Sequence, residues 1–393
     1  MKRRPLLAAG AATLSAASAG CLGELHPGCG GGSAETARPT PGEPEQLPVP
    51  ESELVRAARR DEIPAITEPA FGPNWEGIVL TGVWWGTGEE FEFTVELLSD
   101  DRVVGVVRDG RARAYPLKML NWHEAVNDEF DGPLLVTFCP LCGSAITAER
   151  VVDGQPATFG VSGLLYRSNQ VLYDQRTDSL WAQLLAKAIR GPLTGSTLRL
   201  VPSELTTWKA WQERHPETEV LLPAPLSETV GKSEAAPYSR DPYSEYATSD
   251  RVVGGADSHD ERLHPKAEVL GVRHNGEAVA YPLERVSADG VVNDTVGGRS
   301  IVVTATAGDR LVAYDRRADG EVLRFSAGDP GEMIGGDTRW EVESGRAVAG
   351  THEGTTLEPV DDALQLYWFA WREFEPETRV YSSRWTLDWL CGG

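Results

Sequence analysis

Lysine is nearly missing from this chain of 393 residues, standing only at positions 2, 118, 187, 209, 232 and 266. Its basic residues are therefore mostly arginine. Together they number 37 against 59 acidic residues, a formal charge of −22. Such an excess repels phosphate, and no basic stripe offsets it, so nucleic acid is excluded as a partner. An acidic, lysine-poor surface stays hydrated at high salt and points to a salt-loving host. Also absent are a phosphate-binding glycine loop, a G-x-S-x-G turn and an H-E-x-x-H helix, so those routes to nucleotide, serine-hydrolase and metallopeptidase chemistry are closed. Of only five cysteines, two lie in one short loop, Cys139-Pro140-Leu141-Cys142.

The first 20 residues predict an export signal. Lys2, Arg3 and Arg4 precede a weakly apolar run, Pro5 to Ala17, that is too short to span a bilayer permanently. Arg3-Arg4 followed by Leu6-Leu7 is of twin-arginine type, and Ser18-Ala19-Gly20-Cys21 has the form of a lipobox. Cys21 is the expected lipidation site, and the protein is expected on the outer face of the cell membrane, held there by its lipid. Cleavage leaves 34 basic against 59 acidic residues, a net −25. An exported chain also meets oxidising conditions. Residues 21–50, rich in Gly, Pro, Glu and Ser, read as a disordered tether that contains Cys29.

From residue 51 the pattern predicts a β-rich α+β fold with a few short helices. Strand-type runs recur at 77–83, 91–97, 102–107, 111–115, 134–138, 145–152, 156–161 and 171–174, with Asp109-Gly110 and Asp153-Gly154 as hairpin turns. Helical patterns fall at 51–60, 180–190 and 203–214. Residues 224–265 lose this order and read as a long surface connection. Then the earlier pattern recurs. Ala114-Tyr115-Pro116-Leu117 returns as Ala280-Tyr281-Pro282-Leu283, and Val126-Asn127-Asp128 as Val292-Asn293-Asp294. Tyr173-Asp174 is echoed by Tyr314-Asp315, and Trp211 with Pro216-Glu217-Thr218 by Trp371 with Pro376-Glu377-Thr378. The expected architecture is two tandem related β units, 51–223 and 266–383, joined by 224–265 and followed by a tail, 384–393. The tail contains Cys391, whose pairing with Cys29 nothing decides.

What both copies keep belongs to the fold, and what one copy alone has is a candidate for function. Trp122-His123-Glu124 stands where the second copy has Ala288-Asp289-Gly290, and the cysteine loop where it has Ala305-Thr306-Ala307-Gly308. Asn293-Asp294-Thr295 is a glycosylation-type sequon, but Asn127 occupies the same place without one, so Asn293 reads as structural.

Two thiolates three positions apart can grip one soft or borderline ion, with His123 as third ligand and Glu124, Asp128 or His215 as candidates for a fourth. The first expectation is thus a transition metal, or a metal cofactor, held by Cys139, Cys142 and His123. The alternative is a dithiol–disulfide couple on the same cysteines. A static disulfide closing so short a loop stabilises little, and buried free thiols are the fourth reading. A further possibility is a non-catalytic surface module that binds a partner through its tandem β units. Trp122, Glu124, Tyr166, Tyr173, Asp174, Arg176 and Trp181, with Ser179 and Gln183, are candidates to line a pocket near the cysteines. The simpler reading of Asp174 and Arg176 is a structural pair.

Four segments carry a family resemblance: 122–128, 137–145 (Thr-Phe-Cys-Pro-Leu-Cys-Gly-Ser-Ala), 159–166 and 173–181. They resemble the exported proteins catalogued as domain of unknown function 3179, over about residues 60–381. The resemblance supports the boundaries and implies no activity. Where that family is expected to have Asn-Ser-Asp after Leu-Tyr, this chain has Arg167-Ser168-Asn169, which counts against a role for Arg167 and Asn169.

Overall fold

Short runs of alternating apolar residues closed by two-residue turns set this architecture. Arg102–Arg108 and Arg111–Pro116 pair antiparallel around Asp109-Gly110, both at positive φ (47° and 72°). That backbone matches the twist of a hairpin and is tolerated by Asp and Gly. Asp153-Gly154, Asn275-Gly276 and Asp319-Gly320 repeat the device. The computed structural model describes residues 44, 46–83, 90–231, 235–255, 260–308, 310–360 and 363–382. The export signal, Cys21, Cys29, Trp84-Trp85 and Cys391 lie outside the described residues, as does most of the tether. All described residues belong to one compact unit. Among them the chain is β-rich with short helices: α1 (Leu117–His123), α2 (Trp208–Arg214), the one-turn α3 (Ser244–Ala247), α4 (Leu283–Asp289) and α5 (Trp368–Phe374).

Among the described residues, three five-stranded sheets and two two-stranded hairpins build the first half. One orders Glu204–Thr207, Arg102–Arg108, Arg111–Pro116, Glu219–Leu221 and Phe71–Gly72. The second orders Ser144–Glu149, Pro133–Cys139, Ala125–Glu129, Ile66–Glu68 and Glu228–Thr229. The third orders Leu54–Arg56, Phe159–Tyr166, Asn169–Asp174, Leu180–Ala182 and Lys187–Arg190. The second half has a sheet of Leu364–Tyr367, Glu268–His274, Glu277–Pro282 and Arg379–Val380, then Val291–Val296, Arg299–Ala305 and Leu311–Asp315, then a four-stranded meander from Phe325 to Ala349.

Side-chain anchors also correspond. Trp211 lies on Gly105 and Trp371 on Gly271, so close that a Cβ on either glycine would meet the indole at 2.3 or 2.2 Å. Each indole N–H donates to a threonine, Thr218 at 2.8 Å and Thr378 at 2.9 Å. Asn127 clips the backbone of Phe159 through both amide atoms, and Asn293 does the same to Phe325. Asn293 is therefore a structural side chain, as its position in the sequence suggests. Tyr115 donates to Asp128 and Tyr281 to Asp294.

The structure corrects several sequence expectations. Residues 51–60 form one 3-10 turn, Glu51–Glu53, and a strand, Leu54–Arg56, that pairs with Leu164–Tyr166. An available sheet edge outweighs weak local helix propensity. Residues 180–190 form two short strands with Ala186 at φ 46° in the turn between them; burial on both faces of a short hairpin imitates helical spacing. Residues 203–214 split into a strand and α2, whose first turn is capped by Thr207 Oγ1 accepting from the Ala210 N–H. The echo of Tyr173-Asp174 in Tyr314-Asp315 is one of wording only, because the first pair ends a strand of the third sheet and the second pair ends the strand Leu311–Asp315.

Candidate functional site: a buried dithiol

The strand Pro133–Cys139 ends at its first cysteine. The chain then turns back, closed by the Cys142 N–H donating to the Cys139 carbonyl at 3.1 Å, with Gly143 at φ 63°. The return strand puts Ser144 opposite Cys139. Both cysteines are free thiols, 1% and 0% exposed. The Cys139 thiol is near enough to act on the Cys142 thiol. Burial, followed by the neighbouring Cys139, pushes the Cys142 thiol well above its ordinary range.

Cys142 Sγ donates to the Ser168 carbonyl at 3.3 Å and receives the Asn169 amide at 3.6 Å. These two residues belong to the tip between Phe159–Tyr166 and Asn169–Asp174, where Arg167 and Ser168 both have positive φ, 49° and 61°. The hairpin of Phe325–Ala327 with Glu332–Gly335 in the second half turns instead through residues 328–331, with Gly331 at φ 83°. Asn169, set aside on sequence grounds, is thus a direct neighbour of the sulfur. Its amide also donates to Gln183 at 2.8 Å, and Gln183 donates in turn to Thr137 Oγ1 and the Ser144 carbonyl, each at 3.2 Å. A satisfied, buried amide network therefore fixes both strands that flank the loop.

Glu124 closes α1 at φ 57°, its N–H bonded to the Leu120 carbonyl. The same place at the end of α4 is filled by Gly290 at φ 73°. A non-glycine residue there costs on the order of 1 kcal/mol, which helix termination alone does not require. The Phe138 N–H donates to the Glu124 carbonyl at 2.9 Å, so Glu124 stands beside the residue that precedes Cys139. Its carboxyl is buried and receives the Tyr243 hydroxyl at 3.3 Å. Burial pushes this carboxyl up to about 7, the Tyr243 bond opposing.

Residues 235–255 cross this site as a strap, and side chains rather than a sheet ladder hold them. Tyr238 and Tyr243 reach inward from it. The Trp122 indole donates to the Arg240 carbonyl at 3.2 Å, and Asn121 to Asp241 at 3.1 Å. Lys266, only 6% exposed, donates to the carbonyls of Ser249 at 3.2 Å and Arg251 at 2.6 Å. Its ammonium lies 3.9 Å from the Tyr246 ring centroid, and burial lowers it to about 8. The opposite wall is α5 and the strand before it. Trp368, Phe369 and Leu366 share one apolar cluster with both cysteines, and the Tyr367 N–H donates to the Cys142 carbonyl at 2.8 Å.

The structure gives His123 a role apart from the sulfurs. Its Nδ1 meets the Pro64 carbonyl and its Nε2 the Tyr238 hydroxyl, each at 2.8 Å, and burial lowers the imidazole to about 4. Both nitrogens are engaged, and the ring ties α1 to the strap. Asp128 is bound by Arg113 and Tyr115, and His215 packs against Trp211 with its ring tilted by 47°. Among the described residues no group of three or more His, Cys, Asp or Glu is placed to hold a metal ion.

Of the candidate pocket, Glu124 lies near enough for its charge to act on Cys142. Trp122 anchors the strap. Tyr173 donates to Asp61, and Tyr166 and Trp181 belong to separate apolar clusters. Asp174 organises its own turn, accepting from Thr177 and the Trp181 indole. It meets Arg176 through the backbone N–H at 3.1 Å, and the Arg176 side chain is exposed, so the expected side-chain pair is absent. Sequence reasoning missed Asn169, Tyr243 and Lys266. One signal was available, since Lys266 is one of only six lysines and stands at the first position of the expected second unit.

A β-rich α+β protein with a buried cysteine pair under a tyrosine-bearing strap is the class these observations define. The chain belongs to the family described as "Protein of unknown function (DUF3179)", whose model matches residues 60–378. No curated protein and no solved structure matches it.

Proposed function

We propose that this protein is an exported, membrane-anchored thiol–disulfide oxidoreductase in which Cys139 and Cys142 are the redox pair and Glu124 carries the proton. The observation behind the reading is the placement of the Glu124 carboxyl, at a helix end where glycine would be easier, near enough to two neighbouring buried thiols for its charge to act on Cys142. In the reductive direction Glu124 takes the Cys139 proton and the thiolate attacks a substrate disulfide, giving a mixed disulfide and one leaving thiolate. Cys142, kept as a thiol by burial, then resolves it. The Cys139–Cys142 bond forms, the second substrate sulfur leaves, and both protons end on the two product thiols.

We also propose that the two halves are copies of one unit, of which the first alone keeps chemistry. The matching order of elements, the Trp–Thr and Asn–backbone anchors and the shared Tyr–Asp bonds support this. On that view the second copy, having Ala305 to Gly308 in place of the loop, serves as the wall that keeps the dithiol dry.

A second reading is a soft metal ion held by Cys139 and Cys142. The closeness of the two sulfurs favours it, and it would do without His123. Thiol titration and elemental analysis of the full chain separate the two. The redox reading expects two thiols that disappear together with a model disulfide, return with dithiothreitol, and give no turnover in Cys139→Ser. Equimolar metal that survives dialysis and is lost in Cys139→Ser would establish the metal reading instead. A pair that never oxidises in folded protein would end the redox one.

A further inference from the structure

A second site lies away from the dithiol. Between the two halves is a crevice of about 510 Å³, within the range of roughly 300–1,000 Å³ typical of small-molecule pockets. Its walls come from the strand Ser144–Glu149 of the first half and Leu311–Asp315 of the second, with Trp211 on one flank. Most of the lining is aliphatic, including Leu205, Leu270 and Val360.

Two polar atoms in this apolar lining lack hydrogen-bond partners among the described residues. Thr147 is 2% exposed and its hydroxyl has none. Strand alternation sets its direction. Ile146 and Ala148 enter the core cluster around Phe159 and Trp181, so Thr147 points the other way, toward the crevice. A valine would fill this place equally well without burying an unsatisfied hydroxyl. The fold gives no reason for threonine. The second orphan is Arg310 Nε. The far end of that guanidinium is taken by Glu343 at 2.5 Å and Glu204 at 3.3 Å.

Charge then selects the ligand. Arg214 also pairs with Glu204, so two guanidinium groups face two carboxylates and their charges cancel. His215, at the same wall, is lowered by burial and adjacent Arg214. The Tyr314 hydroxyl is spent on the carbonyls of Val342 and Glu343. Two buried donors are left unpaired while net charge is nil, which suits an uncharged acceptor better than an anion.

We propose that this crevice binds an uncharged, largely apolar small molecule bearing a carbonyl oxygen, the acceptor that the Thr147 hydroxyl and Arg310 Nε–H lack. The site is independent of the dithiol chemistry. The neutral fluorescent ketone Prodan, titrated into the full chain, tests it. Dimethylaminonaphthalene, which has no ketone, is the control. Saturable binding of one Prodan per chain with blue-shifted emission is expected. Thr147→Val should weaken it about tenfold and leave the control probe unchanged, Thr147→Ser should restore it, and Ala363→Phe should remove both probes by filling the space. Near-UV circular dichroism verifies that each variant is folded. Absence of saturable binding, as for a crevice that holds only water, would overturn the proposal. So would a Thr147→Val chain that binds Prodan as tightly as the wild type.

Discussion

Glu124 and His123 are neighbours in the chain, yet their burial acts on stability in opposite directions. The Glu124 carboxyl is raised from 4.5 to about 7, so the folded state holds its proton more tightly than the unfolded state. Its contribution is complete below pH 4.5 and is lost as pH rises through about 7. The His123 imidazole is lowered from 6.5 to about 4, so its contribution is present above pH 6.5 and lost as pH falls through about 4. Between those limits the two oppose each other, and above pH 6.5 Glu124 acts alone. Glu124→Gln should therefore be more stable than the wild type at pH 8 relative to pH 5, by roughly 3 kcal/mol. Urea unfolding at both pH values measures this, and equal differences would show that Glu124 is not held neutral. The same variant should lose thiol–disulfide turnover while both thiols remain countable.

At the scale of elements, the strap decides access. Both sulfurs are buried, and the expected route for a reagent is through the lifting of residues 235–255. The strap has little regular structure beyond α3, and Lys266, Tyr238 and Tyr243 hold it through a handful of polar bonds. Bonds to a charged group are worth roughly 1.5–3 kcal/mol each. Lys266→Met, which keeps the length and removes two such bonds, should raise the rate of iodoacetamide alkylation of Cys139 and Cys142 at least about tenfold. Tyr243→Phe should act in the same direction and more weakly. Unchanged alkylation in both variants would mean that reagent enters by another route. Helices and strands differ in how far they could be read in advance. The hairpins at Asp109-Gly110 and Asp153-Gly154 were legible because turn chemistry is local. The strand Leu54–Arg56 and the hairpin over 180–190 were not, because partners more than a hundred residues away, or a two-sided core, set their conformation.

At the scale of the whole molecule, charge and assembly govern. The formal charge of −22 makes the folded chain repel itself. Raising salt from about 0.1 M to about 1 M shortens the Debye length from roughly 10 Å to 3 Å. It also weakens ion pairs that join the halves, such as the half-buried Arg102–Glu268 at 2.9 Å, but ion pairs near the surface contribute little. The thermal midpoint should therefore rise with salt, and a fall would mean that the ion pairs outweigh the repulsion. By itself the sequence determined the β-rich character, the tight turns, the family and the cysteine loop, because alternation, Asp-Gly turns and a C-x-x-C spacing are short-range signals. It also marked Glu124, by contrast with Gly290 in the matching place. Only the tertiary structure decided which groups surround the cysteine loop. Asn169 arrives from a hairpin tip, Tyr243 from a segment that reads as an open connection, Lys266 from the edge of the second unit, and Tyr367 from the far half. His123 is turned to Pro64 and Tyr238. Those contacts join residues 27 to more than 200 positions apart, and no local preference encodes them. Packing of the two halves around one dry cluster does.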